Sequence, residues 1–88
     1  MPHFVYIVRC ADGSFYTGYT TDLARRVAEH NGEDASQGRK SAAARYTRGR
    51  RPVELVYSES FATRSEALQR EAEIKKLTRA HKLQLIQS

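Results

Sequence analysis

The sequence predicts a small α+β domain. Its core is a three-stranded, mostly antiparallel sheet, a β-hairpin plus a third strand, flanked by helices in the order β-β-α-β-α-α. Three observations carry this. An almost continuous apolar run, His3–Cys10, is followed beyond Asp12-Gly13 by an aromatic stretch, Ser14–Thr20, which reads as a hairpin. A later run from Val53 to Phe61, opened by Pro52, alternates as a strand does. Two side-chain caps, at Thr21-Asp22 and at Thr63-Arg64-Ser65-Glu66, precede stretches with helical spacing. Eighty-eight residues make one domain, 1–88. A chain of this length buries only roughly 60% of its unfolded surface, so one small core and no second recognition domain are expected.

The hairpin fixes where its tyrosines point. Ala11-Asp12-Gly13 fits a three-residue loop with Gly13 in the left-handed conformation. Across such a loop, residues whose numbers sum to 24 lie opposite each other. Tyr6 then faces Gly18 and Val8 faces Tyr16. Opposed residues share a sheet face and faces alternate along a strand, so Tyr6 and Tyr16 emerge on one side.

A helix follows, capped by Thr21 or Asp22 and closed at Asn31-Gly32. Leu23 and Val27 form its apolar stripe, with Ala24 and Ala28 beside them; Arg26 and His30, four apart, share another face. Glu33–Arg51 shows no period and reads as a long loop. In the third strand Val53, Leu55 and Tyr57 alternate. The helix from Arg64 runs to Lys76 or Leu77. Thr78 caps a final short helix carrying Leu83 and Ile86.

Composition narrows the class. Apolar residues at 40% and charged residues at 28% suit a folded, soluble domain. No apolar run approaches the ~18 residues of a membrane span, and the N-terminus lacks signal-peptide organisation. Cys10 is the single cysteine, which excludes an internal disulfide and fits a reduced, cytoplasmic protein. Cys10, His3, His30 and His81 do not match zinc spacing; Cys10 reads as a small buried hydrophobe and His3 and His81 as surface residues. The net charge of +5 is concentrated: Arg39 to Arg51 holds six basic residues and no acidic one, with Tyr46 interleaved. That pattern attracts a phosphate backbone, and it also suits a solvated loop.

One carboxylate stands out. On a helical projection Ala67, Leu68, Ala72 and Ile74 fall in one arc, and Glu71 falls near its middle. A glutamate there needs a basic partner, such as Arg70 or Lys75, or else a hard cation such as Mg²⁺. Taken together, hairpin tyrosines, Arg26, His30 and Glu71 suit phosphodiester hydrolysis. A carboxylate-held metal binds a non-bridging oxygen, and an arginine clamps the phosphate as charge develops. Tyrosine itself is a weak base, only ~0.1% ionised at pH 7, so neighbouring charge or an imidazole must assist it.

These pieces recur in a known order. Phe4-Val5-Tyr6 and Tyr16-Thr17-Gly18 set two tyrosines ten residues apart. Leu23-x-x-Arg26 follows ten residues after Tyr16, and Ala67-Leu68-x-x-Glu71-x-x-Ile74-Lys75 closes the series. In these motifs the chain resembles the GIY-YIG nuclease family over nearly its whole length. Phe4 replaces the first glycine, Thr17 the isoleucine, and Tyr19 a frequent basic residue. His30 and Arg45-Tyr46-Thr47-Arg48 are closest to small, stand-alone bacterial members. These in turn are similar to the nuclease domain of the eukaryotic enzyme that cuts branched DNA.

The resemblance implies an endonuclease dependent on one divalent ion, Mg²⁺ or Mn²⁺, held by Glu71. Tyr6 or Tyr16 would be the base or its relay, Arg26 would bind the scissile phosphate, His30 would assist, and Gly18 would allow close packing behind the tyrosines. Arg25, Lys40, Arg45, Tyr46, Arg48, Arg50 and Arg51 are the expected nucleic-acid contacts. The substrate would be branched, flapped or damaged DNA, with a homodimer or partner protein supplying specificity. The competing readings are a non-catalytic nucleic-acid-binding module of the same fold and a basic adaptor that docks an acidic protein.

Overall fold

The computed structural model describes residues 2–31 and 52–87. The elements follow the expected order: β1 (His3–Arg9), β2 (Phe15–Thr20), α1 (Leu23–His30), β3 (Glu54–Phe61), α2 (Arg64–Lys75) and α3 (Arg79–Gln87). The strands form one antiparallel sheet in the order β2-β1-β3. The residues expected at 33–51, and the Gly32 helix stop, lie outside the described residues.

The hairpin register is the one its loop dictates. Tyr6 pairs with Gly18 and Val8 with Tyr16. Gly13 has φ of 86°, a conformation natural to glycine. The Gly13 N–H donates to the Cys10 carbonyl at 2.9 Å, and the Cys10 N–H to the Ser14 carbonyl at 2.8 Å. Asp12 Oδ1 accepts from the backbone N–H and hydroxyl of Ser14, which rigidifies the tip.

Strand β3 departs from the alternation read in its sequence. Ile7 pairs with Tyr57 but Val8 pairs with Leu55, leaving Val56 as an extra residue on β3. This bulge reverses the facing of the strand partway along. Val53 joins the cluster beneath α1, whereas Val56, Tyr57 and Phe61 pack on the opposite side. Leu55, which alternates with Val53 and Tyr57 in the sequence, is 37% exposed.

Two apolar layers flank the sheet. On one face Val5 and Ile7 pack against Ala67 and Ile74 of α2, joined by Leu77 and by Leu85 and Ile86 of α3. The last helix therefore partly buries Leu85 and Ile86, while Leu83 is exposed. On the other face Tyr6, Val8 and Cys10 meet Leu23 and Val27 of α1. Ala24 lies exposed beside that stripe.

Asp22, rather than Thr21, caps α1 by accepting the Arg25 N–H. Thr63 caps α2 by accepting the Glu66 N–H, and its hydroxyl donates to the Glu66 carboxylate. The bidentate-like contact of Arg70 Nε with Glu59, 3.0 and 3.3 Å, ties α2 to β3, and Tyr57 donates to the same carboxylate.

Candidate active site

The site forms where α1 crosses the hairpin. Tyr6 sits mid-way along the central strand and is fully buried. Its ring lies directly over Gly18, its partner on β2. A Cβ at Gly18 would fall on Tyr6 Oη, 2.6 Å from Tyr6 Cζ and 3.0 Å from Tyr16 Cε1. The glycine thus lets two aromatic rings occupy one face over a bare backbone.

His30 closes this cluster from the last turn of α1. Its Nε2 lies 2.9 Å from Tyr6 Oη, and the residue is fully buried. Tyr16 meets the imidazole edge-on, with ring centroids 5.1 Å apart; Tyr6 and Tyr16 are 6.4 Å apart. His30 at the end of a helix could have been only a dipole-capping residue; here it reaches into the tyrosine pair instead.

Arg26, one turn earlier, lies on the same helix face and acts electrostatically on both phenols. Its Nε is buried without a hydrogen-bond partner. A donor so placed is costly unless something arrives to accept from it. Arg25 points elsewhere: it is exposed and pairs with Glu29 at 3.7 Å.

Glu71 comes from α2, on the other side of the sheet. Its charge is felt by both Tyr6 and Tyr16. It does not occupy the middle of an apolar arc. Ala67 and Ile74 are the buried residues of α2, whereas Leu68 is 38% exposed and Ala72 is exposed, so the core stripe is narrower than projected and Glu71 borders it. The carboxylate, 18% exposed, pairs with Lys75 at 3.4 Å. Of the two readings of Glu71, the basic partner is the one present, and the carboxylate's charge also acts on both tyrosines.

The electrostatics differ between the phenols. Burial pushes the Tyr6 hydroxyl far above the usual phenol range, and the Arg26 guanidinium only partly offsets this. Tyr16 is raised mainly by burial, with Lys75 opposing it, Glu71 adding to it and Arg26 opposing it. Neither tyrosine is a standing phenolate at neutral pH.

A metal at Glu71 has one protein carboxylate available. Among the described residues no three metal-ligating side chains cluster. That donor set suits Mg²⁺ or Mn²⁺, which take one or two carboxylates and complete their shell with water and phosphate oxygens. The Lys75 ammonium already supplies one positive charge beside Glu71.

The structure brings Tyr6, Tyr16, Arg26, His30, Gly18 and Glu71 together. The expected contacts Lys40, Arg45, Tyr46, Arg48, Arg50 and Arg51 lie outside the described residues. Lys75, one of the basic partners expected for Glu71, pairs with it at i,i+4 spacing and acts electrostatically on Tyr16. One residue was missed in the sequence. Asn31 clasps Val53, accepting its N–H at 2.7 Å and donating to its carbonyl at 3.2 Å, which ties the end of α1 to the start of β3 beside His30. His3, expected on the surface, is half-buried, with Nδ1 2.7 Å from Tyr19 Oη and its ring stacked on that tyrosine.

Two phenols, an imidazole, a guanidinium and a carboxylate around one strand pair are the groups a phosphodiester-cleaving domain requires. The family model of the GIY-YIG catalytic domain matches residues 2–84, and the chain belongs to that family of nucleases. It is 55% identical over 80 residues to a UPF0213 protein of Halobacterium salinarum, covering 91% of this chain and 94% of the relative. A UPF0213 protein of Staphylococcus epidermidis is 55% identical over 85 residues, covering 97% and 94%. Among solved structures, the solution structure of a UPF0213 protein from Bacillus halodurans matches with a TM-score of 0.59 at 46% identity, covering 99% of this chain and 84% of that one. A protein from E. faecalis matches at 0.63 and 44%, with the same coverage. No helix among the described residues is long and apolar enough to cross a membrane.

Proposed function

We propose that this protein is a divalent-metal-dependent endonuclease that hydrolyses phosphodiester bonds in DNA, acting on branched, flapped or distorted substrates. The observation that carries the reading is the convergence of Tyr6, Tyr16, Arg26, His30 and Glu71, drawn from four elements, on one face of the hairpin and its edge.

Arg26 receives the scissile phosphate. Its unpartnered Nε–H and the rest of the guanidinium fork match phosphate oxygens and stabilise the charge that grows there. Glu71 and water ligands would hold Mg²⁺ or Mn²⁺; when bound, the ion supplies Lewis-acid stabilisation of phosphate and leaving oxygens.

Proton removal runs through Tyr6 and His30. A buried phenol with a raised pKa makes a poor free phenolate, so the proton must leave as another arrives. Neutral His30 accepts the Tyr6 O–H proton at Nε2 while Tyr6 Oη takes the proton of the attacking water. The water oxygen bonds to phosphorus, the bond to the leaving sugar oxygen breaks, and that oxygen is protonated from solvent. Tyr16, half-buried beside them, orients the nucleophile.

The test is cleavage of labelled duplex, single-stranded and branched DNA with Mg²⁺, Mn²⁺ or EDTA. Metal-dependent nicking, lost in Glu71→Gln and in Arg26→Ala, is expected. Binding without cleavage on every substrate and metal would leave a nucleic-acid-binding module of this fold.

A further inference from the structure

Beyond the tyrosine cluster, β2 continues to the hairpin tip, and a second basic feature sits there. Ser14, Phe15, Arg79 and Lys82 line an open cleft of about 220 Å³. Arg79 is fixed in it: Nη1 donates to the Gly13 carbonyl at 2.6 Å, and its guanidinium stacks 4.7 Å above the Phe15 ring. Lys82 is half-buried one turn further along α3. Among the described residues neither side chain is in an ion pair. After Glu73 the chain has no acidic residue, only Lys75, Lys76, Arg79 and Lys82 with His81.

Arg79 ties α3 to the hairpin tip without using a carboxylate. One hydrogen bond to a carbonyl leaves most of its donor fork available, and the Phe15 stack removes the entropy lost on binding an oxyanion. The cleft lies on the face of β2 where Phe15 packs, and Tyr16, the next residue, faces α1 on the other side of the same outer strand. Lys75, from α2, acts electrostatically on Tyr16. A strand crossing this edge with one phosphate at the reacting position would carry further backbone phosphates toward the cleft.

We propose that Arg79 and Lys82, at the hairpin tip, form a second phosphate site that holds the nucleic-acid backbone away from the scissile bond. The ligand is a backbone phosphodiester, met without base readout. This rests on the nucleic-acid reading of the active site, and the test separates the two.

Binding of fluorescent single-stranded and branched DNA to the full chain is measured in EDTA from 50 to 200 mM salt for the parent, Lys82→Gln, Arg79→Gln and Arg64→Gln. Each lost phosphate contact lowers the slope of log K against log salt by about 0.7 on single strands and 0.9 on duplex. Lys82→Gln should therefore lose about threefold of the parent's affinity change across that fourfold salt range. Arg79→Gln should lose as much or more. Arg64→Gln, roughly 16 Å from Lys75 along α2, should lose nothing. Because Arg79 also anchors the turn, Lys82→Gln decides the matter where Arg79→Gln unfolds.

Parent-like slopes for Lys82→Gln overturn the proposal, even if the protein cleaves DNA. A Lys82-dependent slope without metal-dependent cleavage keeps the phosphate site and removes the nuclease reading. Absence of DNA binding at 50 mM salt, with binding of poly-glutamate instead, assigns the cleft to an acidic protein and overturns the proposal.

Discussion

Replacing Gly18 by alanine adds a single methyl where the site has no space. That methyl carbon would lie 2.6 Å from Tyr6 Cζ and 3.0 Å from Tyr16 Cε1. Regaining ordinary contact at 3.4 Å requires about 0.8 Å of ring movement at Tyr6. Tyr6 is fully buried, and its hydroxyl is tied to His30, so the movement must be shared with α1. Overpacking of this kind costs about 1–3 kcal/mol. For a domain this small each kcal/mol lowers Tm by about 4–8 °C. Reactive groups tolerate only about 0.5 Å of displacement, so cleavage should fall further than the folded fraction does. Thermal unfolding and metal-dependent nicking of branched DNA are measured side by side on Gly18→Ala. A variant with parental Tm and parental nicking would refute both the packing argument and the assignment of the Tyr6–His30 pair to the chemistry.

Glu71→Gln should abolish cleavage yet change stability by less than about 1 kcal/mol, because its ion pair with the half-exposed Lys75 is weak; urea unfolding beside the nicking assay checks both. Asn31→Ala removes both bonds to Val53 and should cost about 1–3 kcal/mol, read as a lowered urea midpoint, whereas Asn31→Asp keeps the acceptor and should cost less. Asp22→Ala removes the α1 cap and should cost about 0.5–2 kcal/mol, with a matching loss of helical circular dichroism on mild heating. Alkaline stability follows from the raised phenol pKa values. Below about pH 10 both folded and unfolded tyrosines keep their protons and nothing is lost. Above it the unfolded phenols ionise first, so stability falls by up to about 1.4 kcal/mol per pH unit for each such group until the folded phenol ionises too. Urea midpoints between pH 9 and 11 should fall less steeply in Tyr6→Phe than in the parent.

Local chemistry was legible in the sequence, and long-range pairing was not. The parity of Tyr6 and Tyr16 followed from one loop, because Asp12-Gly13 sets an odd spacing and strand facing has a period of two. Arg26 and His30 followed from i,i+4 geometry on a capped helix. By contrast, the bulge at Val56 leaves no local mark, since Val53, Leu55 and Tyr57 alternate equally well without it. A helical projection weighs Leu68 and Ala72 like Ile74, but only the part of α2 against β1 is buried; that moved Glu71 from the middle of a stripe to its border. Asn31 with Val53 and Arg79 with Gly13 join residues 22 and 66 positions apart, and no short-range pattern announces either.

The position of β2 explains why these features share one place. It is an outer strand, paired to β1, with the uncharged aromatic sequence Phe15-Tyr16-Thr17-Gly18-Tyr19-Thr20. Such a strand presents unpaired backbone groups and would invite another strand to pair with it. An outer strand is also where groups from both faces of a sheet can meet, because nothing on that side separates the layers. Arg26 and His30 come from α1 on one face; Glu71, Lys75, Arg79 and Lys82 come from α2 and α3 on the other. The lysines and arginines at this edge make it unattractive to a second β-strand, so under the proposed function substrate binding and protection against edge pairing would draw on the same charges.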